Sequence, residues 1–370
     1  MTVPFEFDAS LWHSGTNPET IEVIDQRYLP FESRIFRIRT VDEACYAITE
    51  MVVRGAPLIG VTAAYGMYVA CLNPRSGSMA EAVDTARVKL NSTRPTAVNL
   101  FRMTQRMFSR FIQVKDSGKT ARLMLEEANR IRQEEIESCR MIGVHGLPLI
   151  EEISRNKRGR PVNILTHCNA GWLACVQWGT ATAPIYMAHQ KGIALHVWVD
   201  ETRPRNQGAR LTAFELGLAG IPHTVIPDNT GGHLMQHGQV DMVIVGSDRT
   251  TRNGDVANKI GTYLKAVAAA DNNIPFYAAL PTSTFDPEMT DGIRNIPVEE
   301  RSAEEVACIE GWNGRELIQV KLIPDNSAVA NFGFDVTPAR LVTQLITEKG
   351  LCAPRESDIV TLLYNSHEQS

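Results

Sequence analysis

The sequence lacks paired cysteines. Its seven cysteines are scattered over 370 residues, their number is odd, and no CxxC pair occurs. They are Cys45, Cys71, Cys139, Cys168, Cys175, Cys308 and Cys352. This pattern excludes a disulfide scaffold and a cysteine-based zinc finger, and it is typical of reduced thiols in the cytosol. We therefore expect a cytoplasmic protein.

Long apolar runs are also absent. No run reaches the roughly 18 residues that a membrane-spanning helix needs. The N-terminal segment MTVPFEFDASLWHSG lacks the basic stretch and apolar core of a signal peptide. Positive charge is not in excess, because the sequence has 37 Lys and Arg residues and 42 Asp and Glu residues, which gives a net charge of −5. The composition predicts neither a membrane nor a nucleic acid as partner.

Several catalytic motifs are missing. The sequence contains no GxGxxG, GxxxxGK[ST], HExxH or GxSxG, which argues against a nicotinamide enzyme, a P-loop nucleotidase, a zincin and an α/β-hydrolase. The nine histidines show no metal-ligand spacing near carboxylates. Only His233 and His237 are four apart, and we interpret them as part of a surface turn. The sequence thus predicts no metal ion.

The chain is long enough for two domains, with 44% apolar and 21% charged residues, close to globular averages. We predict a mainly helical N-terminal domain over residues 1–145, with a small β-hairpin formed by residues 21–30 and 34–40. Helical periodicity predicts helices over residues 41–53, 57–72, 78–90, 97–114 and 119–139. The basic segment 155–161 is interpreted as a surface connection.

Residues 146–370 are predicted to form a Rossmann-like α/β domain. Short apolar runs are typical of strands buried on both faces, and their alternation with helices indicates a parallel sheet. The runs are residues 162–165, 194–199, 223–226, 241–246 and 275–280, and the helices between them are predicted over 172–189, 207–218 and 257–270. Because such sheets bind ligands at the carboxyl ends of their strands, we examined the residues after each run.

Cys168 follows the first of these runs and is predicted to lie near a helix N-terminus. The helix dipole and the backbone amides there would stabilise a thiolate, which favours a reactive cysteine. The alternative is a small buried thiol without chemistry. The neighbouring His167 is either a base partner or, as we favour, a packed histidine.

Asp248 lies two residues after the run 241–246 and is a candidate general acid or base, because partial burial raises the pKa of a carboxyl group. The alternative is an ion pair with Arg249. Asn258 and Lys259 are predicted at the start of the following helix. A lysine there is unfavourable for the helix dipole unless an anion such as phosphate shares the site.

Other candidate ligand contacts open predicted helices. Gln207 follows a polar stretch suited to a hydroxyl-rich ligand, although it could be a surface amide. Arg54, Gly55 and Ala56 open a helix, as does Arg94, and an arginine can bind a phosphate through two hydrogen bonds. Plain helix caps with surface charge are the alternative.

These residues lie in sequence blocks that resemble the methylthioribose-1-phosphate isomerase family, which includes regulatory subunits of a eukaryotic initiation-factor exchange complex. The blocks occur in one order over nearly the whole chain. They are VIDQRYLP (23–30), RGAPLIGVTAAYG (54–66), RPTAVNL (94–100), THCNAG (166–171), DETRPRNQGARLTAFEL (200–216), GSDRTTRNGDVANKIGTY (246–263), PFYAALPTSTFD (275–286), IPVEER (296–301) and FDVTPARLVTQLIT (334–347).

The resemblance implies a helical N-terminal domain, a Rossmann-like domain and a homodimer. It implies cofactor-free isomerisation of a furanose 1-phosphate to a ribulose 1-phosphate in methionine salvage. Cys168 and Asp248 would be the catalytic pair. Asp248 would donate the proton that opens the ring, and Cys168 would take the C2 proton or stabilise a hydride shift. Substrate contacts would fall on Arg54, Gly55, Ala56, Arg94, Gln207, Asn258 and Lys259.

Two segments depart from the family pattern, namely NFGFD (331–335) and DNTGGHLM (228–235). Such loops could line the pocket for the 5-substituent of the sugar. Isomerases of 5-deoxyribose 1-phosphate or ribose 1,5-bisphosphate therefore remain alternatives. A non-catalytic regulatory subunit is a further alternative, but such a protein would be expected to lose the Cys and Asp pair.

Overall fold

The structure is a computed structural model that describes residues 9–14, 17, 19–72, 78–94 and 97–364. Its described residues form two compact units. The first contains the chain up to Arg140 and the segment Trp172–Gly179, and the second contains Met141–Gly171 and the chain from Thr180 onward. The sequence did not predict that a segment of the second half belongs to the first unit. None of the described helices combines the length and the apolar character needed to cross a membrane.

The first unit begins with a three-stranded antiparallel sheet of β1 (Leu11–His13), β2 (Ile21–Ile24) and β3 (Ile35–Ile38), in that order. Strands β2 and β3 form the predicted hairpin, with Ile21 opposite Ile38. Strand β1 was not predicted, because three residues are too few to show a period. Most of the N-terminal segment examined for a signal peptide lies outside the described residues.

All five helices predicted for the first half are confirmed in type. They are α1 (Val41–Thr49), α2 (Ala56–Val69), α3 (Met79–Asn91), α4 (Val98–Ile112) and α5 (Thr120–Lys157). Every residue of α2 is buried, so this helix forms the centre of the first unit's apolar core. Helix α5 extends well beyond the predicted end at residue 139 and into the segment interpreted as a connection. Pro95, which follows Arg94 at the predicted start of α4, lies outside the described residues.

From residue 162 onward, the second unit alternates strands and helices as far as its fourth strand, and then adds further strands and short helices. In chain order they are β4 (Val162–Thr166), α6 (Ala183–Gln190), β5 (Leu195–Asp200), α7 (Ala213–Leu218), β6 (His223–Ile226), α8 (Thr230–Gln236), β7 (Met242–Val245), β8 (Arg249–Thr251), β9 (Val256–Lys259), α9 (Thr262–Asp271), β10 (Phe276–Ala279), β11 (Phe285–Asp286), α10 (Gly292–Asn295), α11 (Glu304–Ala307), β12 (Cys308–Trp312), β13 (Leu317–Lys321), β14 (Phe334–Thr337), β15 (Gln344–Thr347), β16 (Gly350–Cys352) and α12 (Glu356–Tyr364).

A seven-stranded sheet organises this unit, in the order β16-β15-β10-β7-β4-β5-β6. All neighbouring strands are parallel except β16, which is antiparallel to β15. The chain proceeds from β4 to β5 and β6 on one side, and then returns to β7 on the other side of β4. This reversal is a topological switch point, where open parallel sheets bind their ligands. The predicted Rossmann-like α/β fold is confirmed.

Two predicted helices are wrong over part of their length. Residues 175–182 are not helical, and after a short 3-10 turn at Trp172–Ala174 the next helix is α6. Residues 256–259 form β9, which pairs antiparallel with β8 and β14. The partner strand β14 lies about 75 residues away along the chain. Helical periodicity within a short window cannot reveal such a distant partner.

Candidate active site

Cys168 lies two residues beyond β4, at the switch point of the sheet. The prediction that it sits at a helix N-terminus is wrong, because α6, the next helix of the second unit, begins only at Ala183. A helix dipole therefore cannot activate its thiol. Instead, Cys168 has a positive φ of 64°. This left-handed conformation costs a non-glycine residue of order 1–3 kcal/mol and persists only where surrounding contacts enforce it.

Two buried hydroxyl groups hold the backbone of Cys168. Its N–H donates to Oγ1 of Thr202 at 2.8 Å, and its carbonyl oxygen accepts from Oγ1 of Thr212 at 2.7 Å. Both threonines are almost completely buried, and Cys168 itself is 9% exposed. The position of the thiol is thus set by the segments that follow β5, which adjoins β4 in the sheet.

Asp248 lies three residues beyond β7, the strand next to β4 on the other side. It is half-buried, and its N–H donates to the carbonyl oxygen of Ala257 at 2.9 Å. The neighbouring Arg249 forms an ion pair with Asp286 at 3.6 Å. Cys168 and Asp248 therefore follow adjacent parallel strands at the same edge of the sheet.

Asn258 and Lys259 lie on β9 rather than at the start of a helix, so that prediction is wrong. Their exposed fractions are only 6% and 8%. The Nδ2 group of Asn258 donates to Oγ1 of Thr262 at 3.1 Å, and Nζ of Lys259 lies 5.0 Å from the ring centroid of Phe334. Because these residues lie on a strand, the structure does not support the hypothesis that a helix dipole helps to bind a phosphate at Asn258 and Lys259. A buried ammonium group remains a suitable partner for an anion.

Strand β9 joins the two candidate catalytic loops. The carbonyl oxygen of Ala257 accepts from the N–H of Asp248, and the carbonyl oxygen of Ile260 lies 2.8 Å from Nε2 of His167. The Asp248 loop is therefore anchored at Ala257, the residue before Asn258. The Cys168 loop is anchored at Ile260, the residue after Lys259. The structure in this way brings four of the predicted site residues to one edge of the sheet.

Gln207 begins the helical segment that continues into α7, as predicted. The next residue must be glycine, because a Cβ at Gly208 would lie 1.7 Å from the carbonyl oxygen of Asp200. Gln207 is 4% exposed, and its Oε1 atom has no hydrogen-bond partner among the described residues. A buried amide oxygen without a partner is unusual and favours the ligand-contact interpretation.

The arginines around Gln207 serve the fold. Nη2 of Arg203 donates to the carbonyl oxygen of Val306 at 3.1 Å, and Arg205 forms an ion pair with Glu305 at 2.9 Å. Arg210 likewise pairs with Glu310 at 2.8 Å. The expectation that this polar stretch recognises a hydroxyl-rich ligand therefore does not extend to these three side chains, which attach residues 305–310 to the Gln207 segment.

The substitution Glu305→Gln is expected to destabilise the fold by about 1–2 kcal/mol near pH 7. Burial would raise the pKa of Glu305, but hydrogen bonds and charges from Arg301 and Arg205 outweigh it and lower the pKa from 4.5 to about 2. A carboxyl group whose pKa is lowered by folding stabilises the native state above its ordinary pKa, and the effect is lost as pH falls toward the lowered value. Urea unfolding of both proteins near pH 7 and near pH 3 measures this.

The matched control is Glu304→Gln, because Glu304 is the exposed neighbour in the same helix, α11. It should unfold like the wild type at both pH values. A destabilisation by Glu305→Gln that is equally large near pH 3 would contradict the electrostatic explanation.

The remaining predicted residues belong to the first unit. Gly55 is the N-cap of α2 with a φ of 92°, and a Cβ there would lie 2.3 Å from the carbonyl oxygen of Ala174. Glycine is thus required at this position by the packing of the protein itself. Ala56 is the first residue of α2, and Arg54 and Arg94 are 7% and 9% exposed. Their predicted contact with a phosphate stays a prediction.

The loops that depart from the family pattern have structural contacts. Nδ2 of Asn331 donates to the carbonyl oxygen of Ser302 at 2.8 Å. The Asp335 carboxylate accepts from the N–H groups of Gly261 at 2.7 Å and Tyr263 at 3.1 Å, and so fixes the turn after β9. Burial raises the pKa of Asp335, and these backbone hydrogen bonds oppose the rise.

A cluster beneath the Cys168 loop was largely missed. His167, Asp200 and Asp228 could together ligate a metal ion, but Nζ of Lys265 lies 3.0 Å from the Asp200 carboxylate and would repel a cation there. The two ring nitrogens of His167 contact Asp200 and Ile260, in agreement with a packed histidine. Asp228 lies two residues beyond β6, so the position after a strand end is a sequence signal that marks it. Nothing in the local sequence marks Lys265.

A cavity of about 420 Å³ lies in the first unit. It is lined by residues of α1, α3 and the end of α2, among them Asp42, Val69 and Lys89. None of the predicted site residues lines it, and its charges are mixed. We assign no function to it.

The fold and the groups at its switch point define a member of one family of Rossmann-like proteins. The chain belongs to the initiation factor 2 subunit family, whose model matches residues 52–354. A protein of Desulfatibacillum aliphaticivorans named methylthioribose-1-phosphate isomerase is 53% identical over 363 residues, which cover 98% of each chain. The predicted resemblance is confirmed, and relatives of this name support the predicted enzyme class, an isomerase.

Solved structures agree on the fold. The crystal structure of 5-methylthioribose 1-phosphate isomerase from Pyrococcus horikoshii OT3 is similar with a TM-score of 0.84 and 36% identity, over 98% of this chain and 97% of that one. The structure of translation initiation factor eIF-2B, subunit delta, from A. fulgidus is similar with a TM-score of 0.78 and 38% identity, over 96% and 99%. The fold is therefore shared by proteins named as enzymes and as translation factors.

Proposed function

We propose that this protein converts 5-methylthioribose 1-phosphate to 5-methylthioribulose 1-phosphate, with Cys168 and Asp248 as catalytic residues. The observation that carries the proposal is their placement after the adjacent strands β4 and β7 at the switch point, with Asn258 and Lys259 on β9 beside them. The names of the relatives that share most of this sequence support the same reaction.

The reaction requires three hydrogen transfers. The phosphate on C1 keeps the anomeric carbon in the ring, so the ring oxygen must be protonated before the C1–O4 bond breaks. In our proposal Asp248 donates this proton, which becomes the hydrogen of the 4-hydroxyl group. The hydrogen on C2 then moves to C1, the proton of the 2-hydroxyl group is released, and C2 becomes the ketone. Partial burial of Asp248 suits an acid that must hold a proton near neutral pH.

Two routes for the C2 hydrogen remain open. Cys168 could remove it as a proton that is returned at C1, or could stabilise a direct hydride shift. A deuterium label at C2 distinguishes them, because a hydride shift retains the label at C1 and a proton transfer exchanges it with solvent.

The other predicted residues would bind the substrate. Gln207 suits a sugar hydroxyl group, since its buried Oε1 atom can accept a hydrogen bond. Lys259 suits the phosphate as a buried ammonium group. Arg54 and Arg94, with the backbone at Gly55 and Ala56, are proposed as further phosphate contacts.

The proposed substrate predicts an order of kcat/KM values. We expect methylthioribose 1-phosphate to exceed both 5-deoxyribose 1-phosphate and ribose 1,5-bisphosphate. The last should be the poorest, because a second phosphate needs cationic groups that DNTGGHLM (228–235) does not provide. Formation of the ketose from each substrate under identical conditions measures this. A preference for 5-deoxyribose 1-phosphate would replace the proposed substrate by its close relative.

A non-catalytic regulatory subunit is the second candidate, favoured by the similarity to a protein named as a translation factor. Against it stands the presence of Cys168 and Asp248 at adjacent strand ends. Absence of turnover with all three sugar phosphates would favour this candidate. We further propose that the protein is a cytoplasmic homodimer. Sedimentation of the purified protein measures its oligomeric state.

A further inference from the structure

The Cys168 loop contacts a buried network of charged groups from the ends of strands and from helix α9. Oδ2 of Asp200, the last residue of β5, lies 2.8 Å from Nδ1 of His167 and 3.0 Å from Nζ of Lys265. Lys265 also donates to the backbone carbonyl oxygen of Asp228. The Asp228 carboxylate in turn accepts from the N–H group of Thr202 at 2.7 Å. His167, Asp200 and Lys265 are 1%, 0% and 4% exposed.

The hydrogen bonds of His167 leave its ring no catalytic role. The carbonyl oxygen of Ile260 can only accept, so Nε2 carries a hydrogen and donates it. A second hydrogen lies between Nδ1 and the Asp200 carboxylate, whichever of the two groups holds it. Neither ring nitrogen is available to take a proton from a substrate. The ring instead connects Asp200 to the end of β9.

The same network reaches Cys168 from both sides of its backbone. His167 directly precedes Cys168 in the chain, and Thr202, whose hydroxyl group accepts from the N–H of Cys168, lies two residues after Asp200. The hydroxyl group of Thr202 itself donates to the carbonyl oxygen of Asp200 at 3.0 Å. Cys168 retains its positive φ of 64° between these two anchors.

We propose that Asp200 and His167 are positioning residues that act through the backbone of Cys168 and set the orientation of its thiol. The same pair fixes Ile260 and therefore the register of Lys259 with the Cys168 loop. The role of this thiol in turnover rests on the proposed function, but its orientation is a property of the protein alone.

Two substitutions test the pair. In Asp200→Asn the shape is kept and the carboxylate is lost. In His167→Gln the amide can still donate to Ile260 but no longer reaches Asp200. We expect each to lower kcat about 10- to 100-fold while KM stays within about threefold, because a displaced reacting group costs rate more than binding. The double variant should lose about as much as either single variant, since both break one chain of contacts.

A second readout does not depend on turnover. The rate of alkylation of Cys168 by iodoacetamide, followed by mass spectrometry of its peptide, should change by about threefold or more in both variants, because reactivity depends on the environment of the sulfur. The control is His145→Gln, which removes a different, partly buried histidine contact, from Nδ1 to the carbonyl oxygen of Thr347 at 2.8 Å. This control should alter neither kcat nor the alkylation rate of Cys168.

Three results would overturn the proposal: an alkylation rate equal to that of the wild type, effects equal to those of His145→Gln, or independent losses that multiply in the double variant.

Thr202→Val and Thr202→Ser provide a test that leaves the charged groups intact. The first removes the hydroxyl contact and should reproduce the slower turnover, whereas the second keeps it and should restore the wild-type rate. A wild type inactive on all sugar phosphates would refute the proposed function, and the alkylation rates would still decide the positioning role.

Discussion

Cys168→Ser is expected to lower kcat by about a thousandfold or more, while the protein stays folded. A serine hydroxyl group fits the space of the thiol but is a far weaker acid and a poorer proton acceptor, and general acid–base groups contribute about 10²- to 10⁴-fold to rate. The backbone hydrogen bonds of Cys168 to Thr202 and Thr212 do not involve its side chain and should persist. Steady-state turnover with methylthioribose 1-phosphate, alongside circular dichroism, measures the effect.

Cys352→Ser is the matched control. Cys352 is 8% exposed, nearly the same as Cys168, and belongs to the same unit, but burial raises the pKa of its thiol to about 11. It ends β16 at the far side of the sheet from β4. Its replacement should leave kcat unchanged. Wild-type turnover in Cys168→Ser would remove this residue from the mechanism.

Asp248→Asn is expected to abolish turnover to a similar extent, by about 10²- to 10⁴-fold. An amide cannot donate the proton that opens the ring at neutral pH. Because the N–H of Asp248, not its carboxylate, makes the contact with Ala257, the loop should keep its place on β9. The defect should therefore fall on kcat, with little change in KM.

Asp271→Asn controls for the loss of one negative charge in the same unit. Asp271 is exposed at the end of α9 and should tolerate the change. If Asp248→Asn retained turnover within about tenfold of the wild type, a carboxyl group at this position could not be the proton donor.

Local patterns were reliable for elements whose own residues carry the signal. Helix α2 and strand β7 were predicted close to their observed bounds. Both are fully buried, and an uninterrupted apolar segment is visible in the sequence without knowledge of its partners. Strand β9 was predicted as a helix, since its pairing with β8 and β14 depends on segments elsewhere in the chain. Asn258 and Lys259 were consequently selected for a reason that the structure does not support, although they do lie beside the Asp248 loop.

The residues of the candidate site show the same distinction between local and distant signals. Cys168, Asp248 and Gln207 were found because polar residues directly after buried strands or at helix starts are visible in the sequence. Asp200 and His167 were visible too, but their connection was not, because hydrogen bonds between side chains of different loops leave no local pattern. Lys265 lies within an ordinary helix and is identified only by its contact with Asp200.

The sequence by itself determined that this is an α/β protein with a parallel sheet and with polar and thiol groups at its strand ends, since composition and periodicity encode burial. Only the tertiary structure decided that β7 returns beside β4, which places Cys168 and Asp248 on adjacent strands. It also decided that Cys168 is held by Thr202, Thr212 and its neighbour His167 rather than by a helix dipole. The physical reason is that these contacts join residues more than thirty positions apart, which only the assembled sheet brings together.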